Sequence, residues 1–129
     1  MLAAAFLAGA AIVPPAGGAA QKTGPQMWGR ISEGVWELRR RDGSVQRICI
    51  GDRTRLIQLR HPEGPCSQIV LEDNASSLTV QYTCRGRGYG RTHIRLETGQ
   101  LIQLDSQGIA DGLPFEFSAE GRRIGDCTP

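Results

Sequence analysis

The chain has 129 residues, room for one domain and little for a second. Fifteen basic against thirteen acidic residues leave a net charge of +2, too weak to imply a nucleic-acid partner or an anionic membrane surface. Aromatics make up only 5% while Gly numbers 17 and Pro 7, so the core must come from Leu, Ile and Val, and the chain must turn often rather than form long helices.

The first element is an apolar, Ala-rich run from Leu2 to Val13, ended by Pro14 and Pro15. Small residues at Gly18 and Ala20 suit a peptidase cut after Ala20, so 1–20 is expected to be a signal peptide. The run is shorter than the about 20 apolar residues that span a bilayer. No second such stretch follows, so no transmembrane segment is expected in the mature chain. No Lys or Arg precedes the run, a departure from the usual signal pattern, and no Cys sits near the cut to carry a lipid. Residues 21–27 read as a polar linker and 28–129 as one domain.

From Trp28 the periodicity is mostly two. Gly34 to Arg41 is a predicted strand with Trp36 and Leu38 on one face and Val35, Glu37 and Arg39 on the other. Asp42-Gly43 predicts a two-residue type I′ hairpin turn, and Ser44 to Ile50 returns. Asp52 is placed to cap a short helix over Arg53 to Arg60 that buries Leu56, Ile57 and Leu59, although a strand also fits. After the His61–Pro65 loop, Cys66 to Glu72 and Ser77 to Cys84 are strands. The latter alternates cleanly, with Leu78, Val80, Tyr82 and Cys84 sharing a face. A glycine-rich bend follows at Arg85–Gly90, then strands Thr92–Glu97 and Gln100–Ser106, a loop Gly108–Gly112, and a strand Leu113–Ala119 with Leu113, Phe115 and Phe117 on one face. The expected fold is therefore mostly β: about seven strands in a small antiparallel meander, strongly curled or barrel-like, with room for one short helix.

Cys49, Cys66, Cys84 and Cys127 are an even set behind an export signal, which reads as two disulfides. Four cysteines allow three pairings, and spacing alone does not choose among them. The pairing adopted is Cys66–Cys84, tying neighbouring strands, and Cys49–Cys127, tying the early hairpin to the C-terminus. A zinc site with His61 and His93 is the alternative, unsupported by any C-x-x-C or H-x-x-x-H spacing. No cofactor is expected.

Gly34-Val35-Trp36-Glu37, the cysteines at 49, 66 and 84, and Gly121-Arg122-Arg123-Ile124-Gly125-Asp126-Cys127 form an ordered set. In that set the chain resembles the secreted bacterial family called domain of unknown function 3617. The resemblance covers nearly all of the mature chain and marks Gly34, Trp36, Arg122 and Gly125 as structural. It implies an exported location and an all-β domain, and no activity. Gly34-x-Trp36 also resembles the first strand of lipocalins, in which a Trp packs under an Arg of the last strand. Arg122 or Arg123 would fill that role.

Other candidates are weaker. Arg85-Gly86-Arg87-Gly88-Tyr89-Gly90-Arg91 has the composition of an RNA-binding tract, but near-neutral charge and export favour a glycine-rich bend. In Arg39-Arg40-Arg41 the middle side chain must point opposite to its neighbours, so the run is not one basic face. Glu97 and Asp105 are candidates to face each other across a hairpin as a glycosidase pair. The reading adopted is an exported, non-enzymatic, monomeric binding or interaction module, periplasmic or secreted. Its partner would be another envelope protein or a small apolar ligand. A lipocalin-like carrier and a small hydrolase are the alternatives.

Overall fold

The computed structural model describes residues 9–13 and 24–128. The expected signal peptide lies mostly outside these residues; within them, 9–13 have no regular structure and Ile12 and Val13 are exposed. The packed domain starts earlier than expected. A 3-10 turn, Gln26–Arg30, buries Met27 completely, so the domain takes in a residue assigned above to the linker.

Seven strands follow: β1 (Gly34–Arg40), β2 (Val45–Ile50), β3 (Ser67–Asp73), β4 (Ser77–Cys84), β5 (Gly88–Thr98), β6 (Leu101–Ala110) and β7 (Leu113–Gly125). A single helical turn, α1 (Thr54–Ile57), joins β2 to β3. All pairings are antiparallel in one sheet of order β2-β1-β7-β6-β5-β4-β3. It is a five-strand meander, β3 to β7, with the β1–β2 hairpin added beyond β7. The long β7 serves both halves: Ala119–Gly125 pairs with β1, while Leu113–Ser118 pairs with β6 alone.

The sheet is curled. Laid flat, β2 and β3 would sit six strand spacings apart, roughly 29 Å. Instead Gln46 and Ile48 of β2 line the same hollow as Pro65 and Cys66 at the entry to β3. The edges do not pair, and segment 51–66 fills the gap, so the fold is an open, plugged barrel. Two disulfides hold it, Cys49–Cys127 and Cys66–Cys84, the pairing expected.

Strand alternation sends Trp36, Leu38, Ile48, Ile50, Leu78, Val80, Tyr82, Ile94, Leu96, Ile102 and Leu104 to the inner face. Met27, Ile31, Leu56 and Ile57 cover them. β7 puts only Ala119 and Gly121 into the centre, and the fit is close. A Cβ on Gly121 would lie 2.8 Å from Ile102 Cγ1 and 3.0 Å from Leu38 Cδ2.

Three local expectations change. The first concerns the helix, which lasts one turn instead of running from Arg53 to Arg60. Asp52 does accept a hydrogen bond from the Thr54 amide at 2.9 Å. The Ile57 carbonyl, however, is taken by the Thr92 hydroxyl at 2.5 Å, and the His61 amide turns back to Gln58 O at 2.9 Å. With the His61 amide bonded to Gln58 O, the i→i−4 pattern is not continued past Ile57. Leu56 and Ile57 are buried as expected, and Leu59 only partly.

The second is the Asp42-Gly43 turn. Only Gly43 has a positive φ, 86°, and the Gly43 amide bonds to Arg40 O while the Arg40 amide bonds to Ser44 O. This is a three-residue loop with a bulge at Gly43, not a type I′ turn. The Asp42 carboxylate accepts the Ser44 amide at 2.8 Å and so holds the looser turn.

The type I′ geometry occurs at the other Asp-Gly pair. Asp111 has φ 51° and Gly112 φ 77°, and β6 and β7 run right up to them. The third correction follows: Gly108–Gly112 is strand and turn, not loop. Gly108 is there because a Cβ would collide with the Tyr89 carbonyl of β5.

Candidate functional site

Outward-facing side chains of β4 to β7 form cross-strand rows. Thr83–Tyr89–Ile109–Pro114 lies toward the turn end, Gln81–Arg91–Gln107–Glu116 comes next, and Thr79–His93–Asp105–Ser118 follows. The first two rows, Thr83 apart, border an open, shallow hollow of about 670 Å³, lined by Gln81, Tyr89, Arg91, Gln107, Ile109, Pro114 and Glu116 over the backbones of Gly90 and Gly108. Such a volume suits a small ligand. The Tyr89 ring is about half exposed, and Arg91 donates to Gln81 Oε1 at 3.1 Å.

The glycines are set from beneath. Gly90 faces inward, where a Cβ would lie 2.5 Å from the Tyr82 hydroxyl. That hydroxyl donates to His61 Nδ1 at 2.8 Å, and His61 Nε2–H donates to the Arg87 carbonyl at 3.2 Å. A carbonyl can only accept, which fixes the tautomer. Burial raises the Tyr82 phenol to about 12, against a smaller lowering by Arg60. The Arg85–Arg91 tract thus splits as its glycines require: Arg85–Arg87 make the turn, while Tyr89 and Arg91 enter β5 and reach the hollow.

The third row does not make a nucleophile. His93 Nδ1 is bonded to the Thr79 hydroxyl at 2.8 Å, and Ser118 Oγ donates to Asp105 at 2.5 Å. A hydroxyl activated by histidine needs the imidazole between Ser and Asp; here Asp105 lies between His93 and Ser118.

The expected Glu97–Asp105 pair does not form. Asp105 sits opposite His93, four residues along β5 from Glu97, roughly 13 Å of strand rise. That exceeds even the wider glycosidase spacing, about 6.5–9.5 Å. Glu97 instead pairs with Arg95 at 3.3 Å. His61 and His93 point to opposite faces, all four cysteines are oxidised, and no cluster of metal-ligating side chains exists among the described residues.

Gly34, Trp36 and Arg123 form one unit at the far end of the sheet. Trp36 is fully buried, is aligned with Arg123 across β1 and β7, and donates Nε1–H to Ser32 O at 3.0 Å. Arg123 Nε donates to Glu33 O at 2.7 Å, and its guanidinium pairs with Asp126. Gly34, at φ 145°, leaves room for it, since a Cβ there would lie 2.6 Å from Arg123 Nε. Arg122 points outward to Glu120 at 3.4 Å. Of the two arginines considered for the lipocalin-like position, Arg123 is the one beside Trp36, and it serves as a backbone clamp. Gly125 aligns with Val35, where β7 meets β1 across a bulge.

Cation–π contacts form elsewhere. Arg40, the inward member of its triplet, lies 4.3 Å from the Phe117 ring centre, and Arg60 5.7 Å from that of Phe115. Phe115 and Phe117 stack at the inner rim, while Leu113 is exposed.

The fold and the hollow define a disulfide-held antiparallel open barrel with a polar, aromatic-bearing outer face. Comparison with protein-family models, curated proteins and solved structures gives no match for this chain. No helix among the described residues is long and apolar enough to cross a membrane.

Proposed function

We propose that the protein is an exported, non-enzymatic recognition module that binds a saccharide on the outer face of its sheet. The observation that carries this reading is the Tyr89 hollow. An exposed phenol ring offers a flat apolar face to the C–H side of a pyranose. Beside it, Gln81, Arg91, Gln107 and Glu116 present planar donors and acceptors suited to neighbouring hydroxyls. The inner face supports the same choice over a lipocalin-like carrier, because Trp36, Tyr82, Met27 and Leu56 occupy the space an apolar ligand would need.

Export, to the periplasm or beyond, is supported by the two disulfides, which persist in oxidising compartments. The proposed kinship with the secreted bacterial family rests on the ordered motif. To that motif the fold adds a reason for its ends: Gly34 and Trp36 meet Arg123, and Cys49 meets Cys127.

The test is a titration of the oxidised protein with neutral, amino and uronic-acid oligosaccharides, followed by amide chemical shifts. Shifts centred on Tyr89, Gly90 and Gly108, lost at least tenfold in affinity in Tyr89→Ala and kept in Tyr89→Phe, are expected. A protein that binds none of them, or binds equally well as Tyr89→Ala, does not work in this way.

A further inference from the structure

Given the recognition site proposed above, on which this rests, we infer that the saccharide at Tyr89 is one unit of a linear acidic chain. The chain lies along the strands of the outer face and places a carboxylate among Arg39, Arg41 and Arg95. The Tyr89 hollow does not stand alone. A second hollow of about 210 Å³ shares Arg91, Gln107 and Glu116 with it, and a third of about 370 Å³ shares Asp105 and Ser118 with the second. The three are successive stretches of one shallow trough over β5, β6 and β7. It runs parallel to the strands from Tyr89 to Arg95, roughly 20 Å of strand rise. One sugar ring covers only the Tyr89 end, and the whole length takes several units in line.

The trough changes character along that length. At the Tyr89 end one cation, Arg91, stands with one anion, Glu116, beside the exposed ring. The middle is polar, with His93, Asp105 and Ser118. The far end is cationic. Its cross-strand row reads Arg95–Gln103–Glu120–Arg39, so an arginine stands at each wall with Gln103 and Glu120 on the floor between them. Arg41 lines the same hollow from the tip of the β1–β2 hairpin. Strand alternation puts Arg39 and Arg41 on the outer face together, while Arg40 turns to Phe117.

Charge selects the ligand group and its direction. Both carboxylates at the far end are already engaged. Asp105 accepts from Ser118 at 2.5 Å; Glu120 accepts from Gln103 at 3.2 Å and pairs with Arg122 at 3.4 Å. Arg39 and Arg95 hold Glu37 and Glu97 at 3.2 and 3.3 Å, but both arginines are more than half exposed, so these pairs are weak and open to exchange. Arg41 has no carboxylate partner among the described residues. A guanidinium takes a carboxylate through two parallel N–H donors. A singly charged uronate therefore fits, whereas a doubly charged phosphate would be repelled by Asp105 and Glu120 on the same floor. The near-neutral Tyr89 end takes the face of a ring, and the arginine end takes an acid group further along the chain.

Titration calorimetry of the oxidised protein is the test. The probes are galacturonate, mannuronate and glucuronate oligomers of two, four and six units, and their methyl esters, which keep the chain and remove the charge. Affinity should rise about tenfold from dimer to hexamer, and the acid should bind about tenfold more tightly than its ester, a difference of the size of one charge-assisted contact. Arg41→Gln with Arg95→Gln, both at exposed positions, should erase the preference for the acid, while Tyr89→Ala weakens acid and ester alike. Equal affinity for acid and ester, equal affinity for all lengths, or a preference that survives the double glutamine variant overturns the inference; if Tyr89 is still required, the recognition site itself stands. Binding that ignores Tyr89→Ala removes both. No binding of any acid also overturns the inference, and the recognition site falls with it if neutral and amino sugars fail as well.

Discussion

Tyr82 and His61 make one buried chain of hydrogen bonds that pins segment 58–65 to the inner face. Tyr82→Phe should cost about 1–2 kcal/mol at neutral pH, because His61 Nδ1 is left buried without a donor. The phenol also gives stability a pH dependence of definite sign. Its ionisation, ordinarily at 10, moves up to about 12 because burial penalises the phenolate more than Arg60 favours it. The unfolded chain therefore releases this proton first. The associated stability is complete below pH 10 and drains away as pH rises through 12. Urea unfolding across that window should show a fall in the wild type that flattens in Tyr82→Phe. Equal slopes would mean the hydroxyl is solvated. Nothing local in the sequence marks this pair, since Tyr82 reads as one more inward residue of an alternating strand. His61 precedes Pro62 in what reads as a loop, and the two, 21 positions apart in sequence, meet only after the sheet curls.

Among elements, the strands were legible, while the helix length, the Asp42-Gly43 turn and the Gly108–Gly112 connection were not. Leu78–Val80–Tyr82–Cys84 and Trp36–Leu38 declare period two directly, and both sets are buried. β3 carries no alternation at all, because an edge strand exposed on both faces has nothing to alternate against. The two Asp-Gly pairs show how context decides a turn. Asp42-Gly43 follows Arg41, and the loop takes three residues; Asp111-Gly112 directly joins paired strands and takes two. Only Asp111 has to adopt a positive φ. Asp111→Val should therefore cost about 1–3 kcal/mol, Asp111→Gly close to nothing, and Asp42→Val no backbone strain. Denaturant midpoints for the three variants check the ranking; a costly Asp111→Gly would show that the side chain, not the backbone, matters. The hollow at Tyr89 was half legible: the tract supplying it stood out by composition, but its partners Gln107 and Glu116 come from two later strands.

At the scale of the whole molecule, stability depends on how an open barrel stays shut. Its two free edges do not pair with each other; segment 51–66 and the 3-10 turn at Gln26–Arg30, which reaches Asp73 and Ala75, bridge them, so the disulfides do what a closing ladder of hydrogen bonds does elsewhere. Cys49–Cys127 spans 78 residues and fastens the outermost strand β2 across β1 to the tail of β7. Cys66–Cys84 spans 18 and fastens two strands that are already paired. Loop entropy makes the first worth about 4.5 kcal/mol and the second about 3. The topology widens the difference, because losing the first also frees β2 to peel from the sheet. Cys49→Ser with Cys127→Ser should therefore lower Tm on the order of 20 °C, more than Cys66→Ser with Cys84→Ser. Full reduction should unfold the domain at ordinary temperature, since the two terms together rival the about 5–15 kcal/mol that holds a domain of this size. Calorimetry of the two paired variants decides the order. Were the short-loop pair the more damaging, the closure of β2 against segment 51–66 would be self-sufficient, and the barrel would be held by its core.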